Sequence, residues 1–291
     1  MKKYLVIGAN GLLGRYLIKL LSKRNIVYAV SRNRAGTCKP NVHSLEMDLD
    51  KGWDEKILPA DLDCVFLLAQ SNHHRDAYEF SSDVFNVNLQ SAFRIIDFYS
   101  KRKIRKIVVA SSGGVYSLSS RPISEKAQLT PTPDIYIASK MCLENIVNAY
   151  RKHTDISILR PFFIYGPSQK SNFLIPRLVE SVRSGKEIIL QGKSGIRINP
   201  IYVEDAAKAF AKEAVLRGSN DINIAGMETV SIKKISEIIG QVLKKDPVFR
   251  IQGNASRKHL VADITLMRKL LVTPTISLQI GITQYLAYEK N

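Results

Sequence analysis

The chain has 291 residues, 45% of them hydrophobic, and a formal net charge of +17. Such a length suits one large domain or two closely joined ones. No apolar run is long enough for a membrane-spanning helix, and the odd, widely spaced Cys38, Cys64 and Cys142 exclude a disulfide framework and suit a reducing compartment.

In chain order, "MKKYLVIGAN" has too short an apolar stretch for a signal peptide and reads as a mature start, so a cytoplasmic protein is expected. "KYLVIG" (3–8) is a strand, and "LLGRYLIKLLSKR" (12–24) repeats its apolar positions at helical spacing. Between them Gly8, Gly11 and Gly14 permit a tight turn and let backbone approach a pyrophosphate at a helix N-terminus. This loop predicts dinucleotide binding. The second strand (26–31) runs into Ser31 and Arg32 instead of the carboxylate that would bind a ribose diol. With Arg34 nearby, hydrogen bond and charge to a 2′-phosphate predict NADP(H) over NAD(H).

Further strands are read at 42–48 and 63–69. His73 and His74 follow the latter without an acidic or cysteine partner at ligand spacing, so a loop and no metal site is expected. A helical pattern spans 87–102 and ends in the basic run "KRKIRK" (101–106). Cations suit a helix C-terminus, and the run lacks the aromatic interleaving of a single-strand nucleic-acid platform, so it reads as solvated surface. A fifth strand (106–112) ends at Ser111 and Ser112, a helix runs from Tyr136 to about His153, and a strand follows at 155–161.

Apolar strands alternating with helices predict an α/β fold, a Rossmann-type doubly wound parallel sheet. The rhythm breaks after "YGP" (165–167). The expected division is a dinucleotide-binding domain at 1–166 and a smaller mixed α/β C-terminal substrate lobe at 167–291, with 199–225 returning to the first sheet. In that fold the end of the fifth strand and the start of the Tyr136 helix both face the cleft at the carboxyl ends of the strands. Tyr136 and Lys140, four apart on one helical face, could then handle the proton of a carbinol while hydride leaves its carbon. A nearby ammonium and an oxidised nicotinamide favour the phenolate, and Ser112 can hydrogen-bond the reacting oxygen.

The G-x-x-G-x-x-G spacing resembles the extended branch of the short-chain dehydrogenase/reductase superfamily, the nucleotide-sugar epimerase/dehydratase family. Further stretches resemble that family in order: "MDLD" (47–50), "VFLLAQ" (65–70), "VNLQ" around Asn88, "VVASSGGVY" (108–116), "YIASKMCLE" (136–144), "LRPFFIYGP" (159–167), "NPIYVEDAAKA" (199–209) and "VADITLMRKLL" (261–271). The resemblance implies cofactor contacts at Gly8, Asn10, Gly11, Leu12, Leu13 and Gly14, at Asp48 and Leu49 beside adenine, and at Leu68, Ala69, Gln70, Asn88 and Phe163. It implies that Tyr136 is the acid/base, that Lys140 holds the nicotinamide ribose, and that Ser112 orients substrate. Phe163, where the family often has asparagine, and Arg197 are the other substrate candidates.

Family 4,6-dehydratases carry Asp and Glu directly after the catalytic hydroxyl residue, and this chain has Gly113 and Gly114 there. The implied activity is therefore a 4-epimerase or 4-ketoreductase of a nucleotide sugar, working as a homodimer without membrane or nucleic-acid partners. The rival is a non-catalytic NAD(P)- or RNA-binding protein on the same scaffold. Such relatives lose the Tyr–Lys pair, which this chain keeps.

Overall fold

The computed structural model describes residues 1–33, 39–73, 75–130 and 134–289; Arg34, Cys38 and His74 lie outside them. Strands β1 (Lys3–Ile7), β2 (Ile26–Ser31), β3 (Val42–Glu46), β4 (Cys64–Leu67), β5 (Ile107–Ala110) and β6 (Ile156–Pro161) are short runs of branched and aromatic residues. β4 is buried along its whole length and β5 and β6 nearly so, as strands covered on both faces must be. The helices are α1 (Leu12–Leu21), α2 (Ser81–Phe85), α3 (Ser91–Lys101) and α4 (Ile135–Tyr150).

A later strand, β11 (Asp221–Ile224), completes a seven-stranded sheet of order β11-β6-β5-β4-β1-β2-β3, in which β1 to β6 pair in parallel. Leu5, Ile7, Val65, Leu67, Ile107, Val109 and Ile158 pack with Ile95, Ile96, Leu143 and Val147 of α3 and α4. Each such fully buried aliphatic side chain contributes roughly 1.5–3 kcal/mol. Strand order reverses between β1 and β4, and the crevice at their carboxyl ends is where a doubly wound sheet binds its ligand.

Two local departures matter. The helical pattern read at 87–102 opens on a π-turn, Asn86–Gln90, which joins α2 to α3 and carries Asn88 into the interior. The basic run 101–106 is solvated at Lys101, Arg102 and Lys103, but Lys106 is fully buried. Its ammonium donates to Glu213 Oε1, Ser157 Oγ and the Gly218 carbonyl, each at 2.7 Å.

The chain forms two compact units that interleave in sequence. The first holds Met1–Val115, Leu129–Arg160 and Ala207–Ile222; the second holds Tyr116–Gln128, Pro161–Ala206 and Asn223–Asn291. In the second, β7 (Ile164–Tyr165) pairs β10 (Ile201–Tyr202), β9 (Arg197–Ile198) pairs β12 (Val230–Ser231), and β8 (Ile188–Gln191) pairs β13 (Phe249–Gln252). The helices α5 (Leu174–Ser184), α7 (Ile232–Leu243), α8 (Thr265–Leu270) and α9 (Leu278–Tyr288) belong to this unit, and α6 (Val203–Glu213) links the two. Among the described residues no helix is long and apolar enough to cross a membrane.

Candidate active site

The glycine loop is built for close approach. Gly8 has φ +95°, and a Cβ there would come within 2.7 Å of the Ala69 backbone nitrogen. A Cβ on Gly14 would lie 2.3 Å from the Gly8 carbonyl oxygen, so α1 packs directly on the turn. Gly11 caps α1 without a side-chain acceptor, and no acidic residue occupies the first turn. Its N–H groups and positive dipole end are left for an anion. The Asn10 side chain donates to the Asn33 carbonyl at 3.1 Å, tying this loop to the end of β2. Leu12 and Leu13 open the helix, and Leu68 donates to the Ile7 carbonyl at 2.9 Å, bringing Leu68, Ala69 and Gln70 against the loop. These features fit the pyrophosphate of a dinucleotide.

At the ends of β2 and β3 a cavity of about 460 Å³ is lined by Arg32, Asn33, Glu46, Met47 and Asp48. Ser31, read as a 2′-phosphate ligand, donates instead to the Asn33 carbonyl at 2.6 Å. Opposite Ser31 in the sheet register stands Glu46. Asp48 accepts from the Asp50 amide at 3.1 Å, and the Leu49 carbonyl accepts from Ser91. Arg32 thus shares its cavity with two carboxylates, an unfavourable setting for a dianionic 2′-phosphate.

Ser112, Tyr136 and Lys140 come together at the end of β5 and the start of α4. Asp134 caps α4, accepting from the Ile137 amide at 3.0 Å, and this fixes Tyr136 in the first turn. The Tyr136 hydroxyl donates to Gln70 Oε1 at 2.8 Å, and Ser112 is within hydrogen-bond reach of the phenol. Lys140 is buried, with its ammonium 5.7 Å from the Tyr136 ring centre and donating to the Ala110 carbonyl at 3.1 Å. Burial pushes the phenol above its ordinary value and Asp134 adds to this, while Ser112 acts the other way. Burial also lowers Lys140 to about 8, against an opposing push from Glu144. The expected lowering of the phenol by Lys140 is therefore not found in the protein alone, where burial and Asp134 raise it and Ser112 lowers it.

Asn88 stands behind the cluster. It accepts from the Ser71 amide at 2.8 Å and donates to Ser139 Oγ at 2.9 Å, and Ser139 donates to the Tyr136 carbonyl at 2.6 Å. Its side chain is spent on bracing α4 and the loop after β4. Phe163 and Arg197 belong to the second unit. Phe163 follows the end of β6 with φ +49°, a left-handed conformation uncommon for a bulky residue, and Arg197 is exposed on β9. His73 stacks on Phe80 with ring centres 3.8 Å apart.

The model of the NAD dependent epimerase/dehydratase family matches residues 4–225. The chain belongs to the NAD dependent epimerase/dehydratase family. It is 26% identical to an uncharacterized UDP-glucose epimerase of Bacillus subtilis (strain 168), over 98% of this chain and 97% of that one. Its fold is that of UDP-glucuronic acid 4-epimerase from Bacillus cereus, solved with UDP-glucuronic acid and NAD, at TM-score 0.87 and 24% identity over 99% of each chain. It is equally that of MoeE5 with UDP-glucuronic acid and NAD, at TM-score 0.86 and 22% identity over 99% of each chain. Both solved neighbours hold NAD, which overturns the expectation of NADP(H) for this chain. The physical reason lies in the cavity: reading β2 alone found Ser31 and Arg32, whereas a carboxylate arrives from β3 as Glu46. Strand pairing supplied what a linear scan could not. The contact of Gln70 with Tyr136 and the burial of Glu144 on Arg160 also escaped the sequence, because each joins residues far apart in it or on different elements.

Proposed function

We propose that this enzyme is an NAD-retaining nucleotide-sugar 4-epimerase, with UDP-hexoses and UDP-hexuronates as its substrate class, working as a homodimer. The observation that carries the reading is the Ser112–Tyr136–Lys140 cluster, with Gly113 and Gly114 directly after Ser112 where an eliminating enzyme needs an acid and a base. Gly114 donates its amide to Ser112 Oγ at 3.0 Å, and a Cβ there would approach Ile137 Cδ1 to 2.5 Å. The position is closed to a longer side chain unless Ile137 moves.

When bound, NAD would accept the hydride from C4 of the sugar and return it, and its positive charge would favour the phenolate. The chain's own residues act at the oxygen. Tyr136 takes the proton of the 4-hydroxyl and returns it once the other face of the sugar is presented. Ser112 donates a hydrogen bond to that oxygen as charge moves on and off it. Lys140 has three N–H donors, one of which the Ala110 carbonyl takes, so it can also donate to the nicotinamide ribose. Gly8, Gly11 and Gly14 hold the pyrophosphate, and Glu46 is the carboxylate for the adenosine ribose. Because the cofactor is restored in each cycle, no reductant is consumed. The exposed Phe85 and Phe93 on α2 and α3 support the dimer face.

The test is incubation of purified enzyme with UDP-glucose, UDP-glucuronate and UDP-N-acetylglucosamine, each with catalytic NAD. Chromatographic separation should show the 4-epimer of at least one. Consumption of NADPH with a 4-keto sugar, and no epimer under any condition, would establish a ketoreductase instead.

A further inference from the structure

Lys140 is 1% exposed, and a cation so placed needs a counter-charge or it gives up its proton. One helical turn further along α4 lies Glu144, 2% exposed. Its Oε1 accepts from the Ser111 hydroxyl at 2.5 Å and from Arg160 Nε at 2.9 Å, and its Oε2 accepts from Arg160 Nη2 at 2.7 Å. The carboxylate is thereby clamped by β5 on one side and β6 on the other. Arg160 also approaches Asp221 at 3.4 Å, and Asp221 pairs Arg151, so charges alternate from the sheet edge inward. The charged and titratable groups around Lys140 are Tyr136 and Glu144 on its own helix and, from β6, Arg160, while β5 brings the Ala110 carbonyl and the Ser111 hydroxyl.

We propose that Glu144 is a positioning residue: its clamped carboxylate keeps Lys140 cationic at the end of β5, where the ammonium can serve the cofactor ribose. The proposal rests on the reading of Lys140 as the ribose-binding residue. Burial and Glu144 pull the proton affinity of Lys140 in opposite directions, and without Glu144 only burial remains. The lysine would then hold its proton less tightly than it does beside the carboxylate. Arg160 does not cancel the effect, because its charge is shared with Asp221 as well as with Glu144.

The test measures NAD affinity by titration calorimetry from about pH 6 to about pH 9.5, a range that brackets the expected loss of the Lys140 proton. The parent should lose affinity at the alkaline end. In Glu144→Gln the midpoint should fall by about one pH unit or more, since an opposite charge one helical turn away is removed. The double variant Glu144→Gln/Arg160→Gln also removes the guanidinium that the single variant would leave without its buried carboxylate, and should show the same direction of shift even if the single variant folds poorly. Lys140→Met should bind NAD weakly with no midpoint. A folded Glu144 variant with the parent's midpoint, beside an impaired Lys140→Met, would overturn the role of Glu144 alone. A Lys140→Met variant that binds like the parent would overturn the ribose reading and this proposal together.

Discussion

At the scale of single residues, Tyr136 is held by bonds that the motif around it does not reveal. Its hydroxyl rests on Gln70, 66 positions away, and its backbone carbonyl receives Ser139, which Asn88 braces in turn. Tyr136→Phe removes only the hydroxyl, and kcat should fall by about 10²- to 10⁴-fold with KM nearly unchanged, as steady-state kinetics would register. The adenosine end is a similar case. The charge proposed to discriminate there is placed by register, since Glu46 stands opposite Ser31. Glu46→Ala should raise NADP affinity by about tenfold, consistent with loss of one unfavourable charge contact near 1.4 kcal/mol. Competitive binding of NAD and NADP to the variant checks this. The Tyr136–Lys140 motif was legible as a motif, while the bond from Tyr136 to Gln70, the placing of Glu46 and the clamp on Glu144 were hidden because tertiary pairing alone brings them about.

At the scale of elements, six strands and the glycine turn could be read because buried parallel strands are short apolar runs and a glycine loop has few substitutes. The π-turn at Asn86–Gln90 could not, because a helical apolar period continues through it. Its consequence is energetic. Asn88 serves two buried polar partners, so Asn88→Ala leaves the Ser71 amide and Ser139 hydroxyl each short of one. The expected loss is about 2 kcal/mol or more, measured by urea unfolding, with an accompanying fall in kcat as Tyr136 loses its brace. A parent-like Cm would show that the amide is not needed to hold α4.

At the scale of the whole molecule, the net charge of +17 is not only a surface property. Lys106 is wholly buried on Glu213, joining β5 to the end of α6 within the first unit. Lys106→Met would strand the Glu213 charge and should cost about 3–5 kcal/mol. Adding Glu213→Leu should restore much of that stability, a comparison that thermal melts can make. The central claim concerns the whole catalytic cycle: hydride leaves C4 and returns to it within one enzyme molecule, with Tyr136 handling only the hydroxyl proton. The most direct measurement is turnover of UDP-glucose or UDP-glucuronate deuterated at C4, followed by NMR and mass spectrometry of the product. The account predicts a 4-epimer that keeps its deuterium at C4 without exchange into water. Loss of the label, or a dehydrated or 4-keto product released in its place, would contradict it.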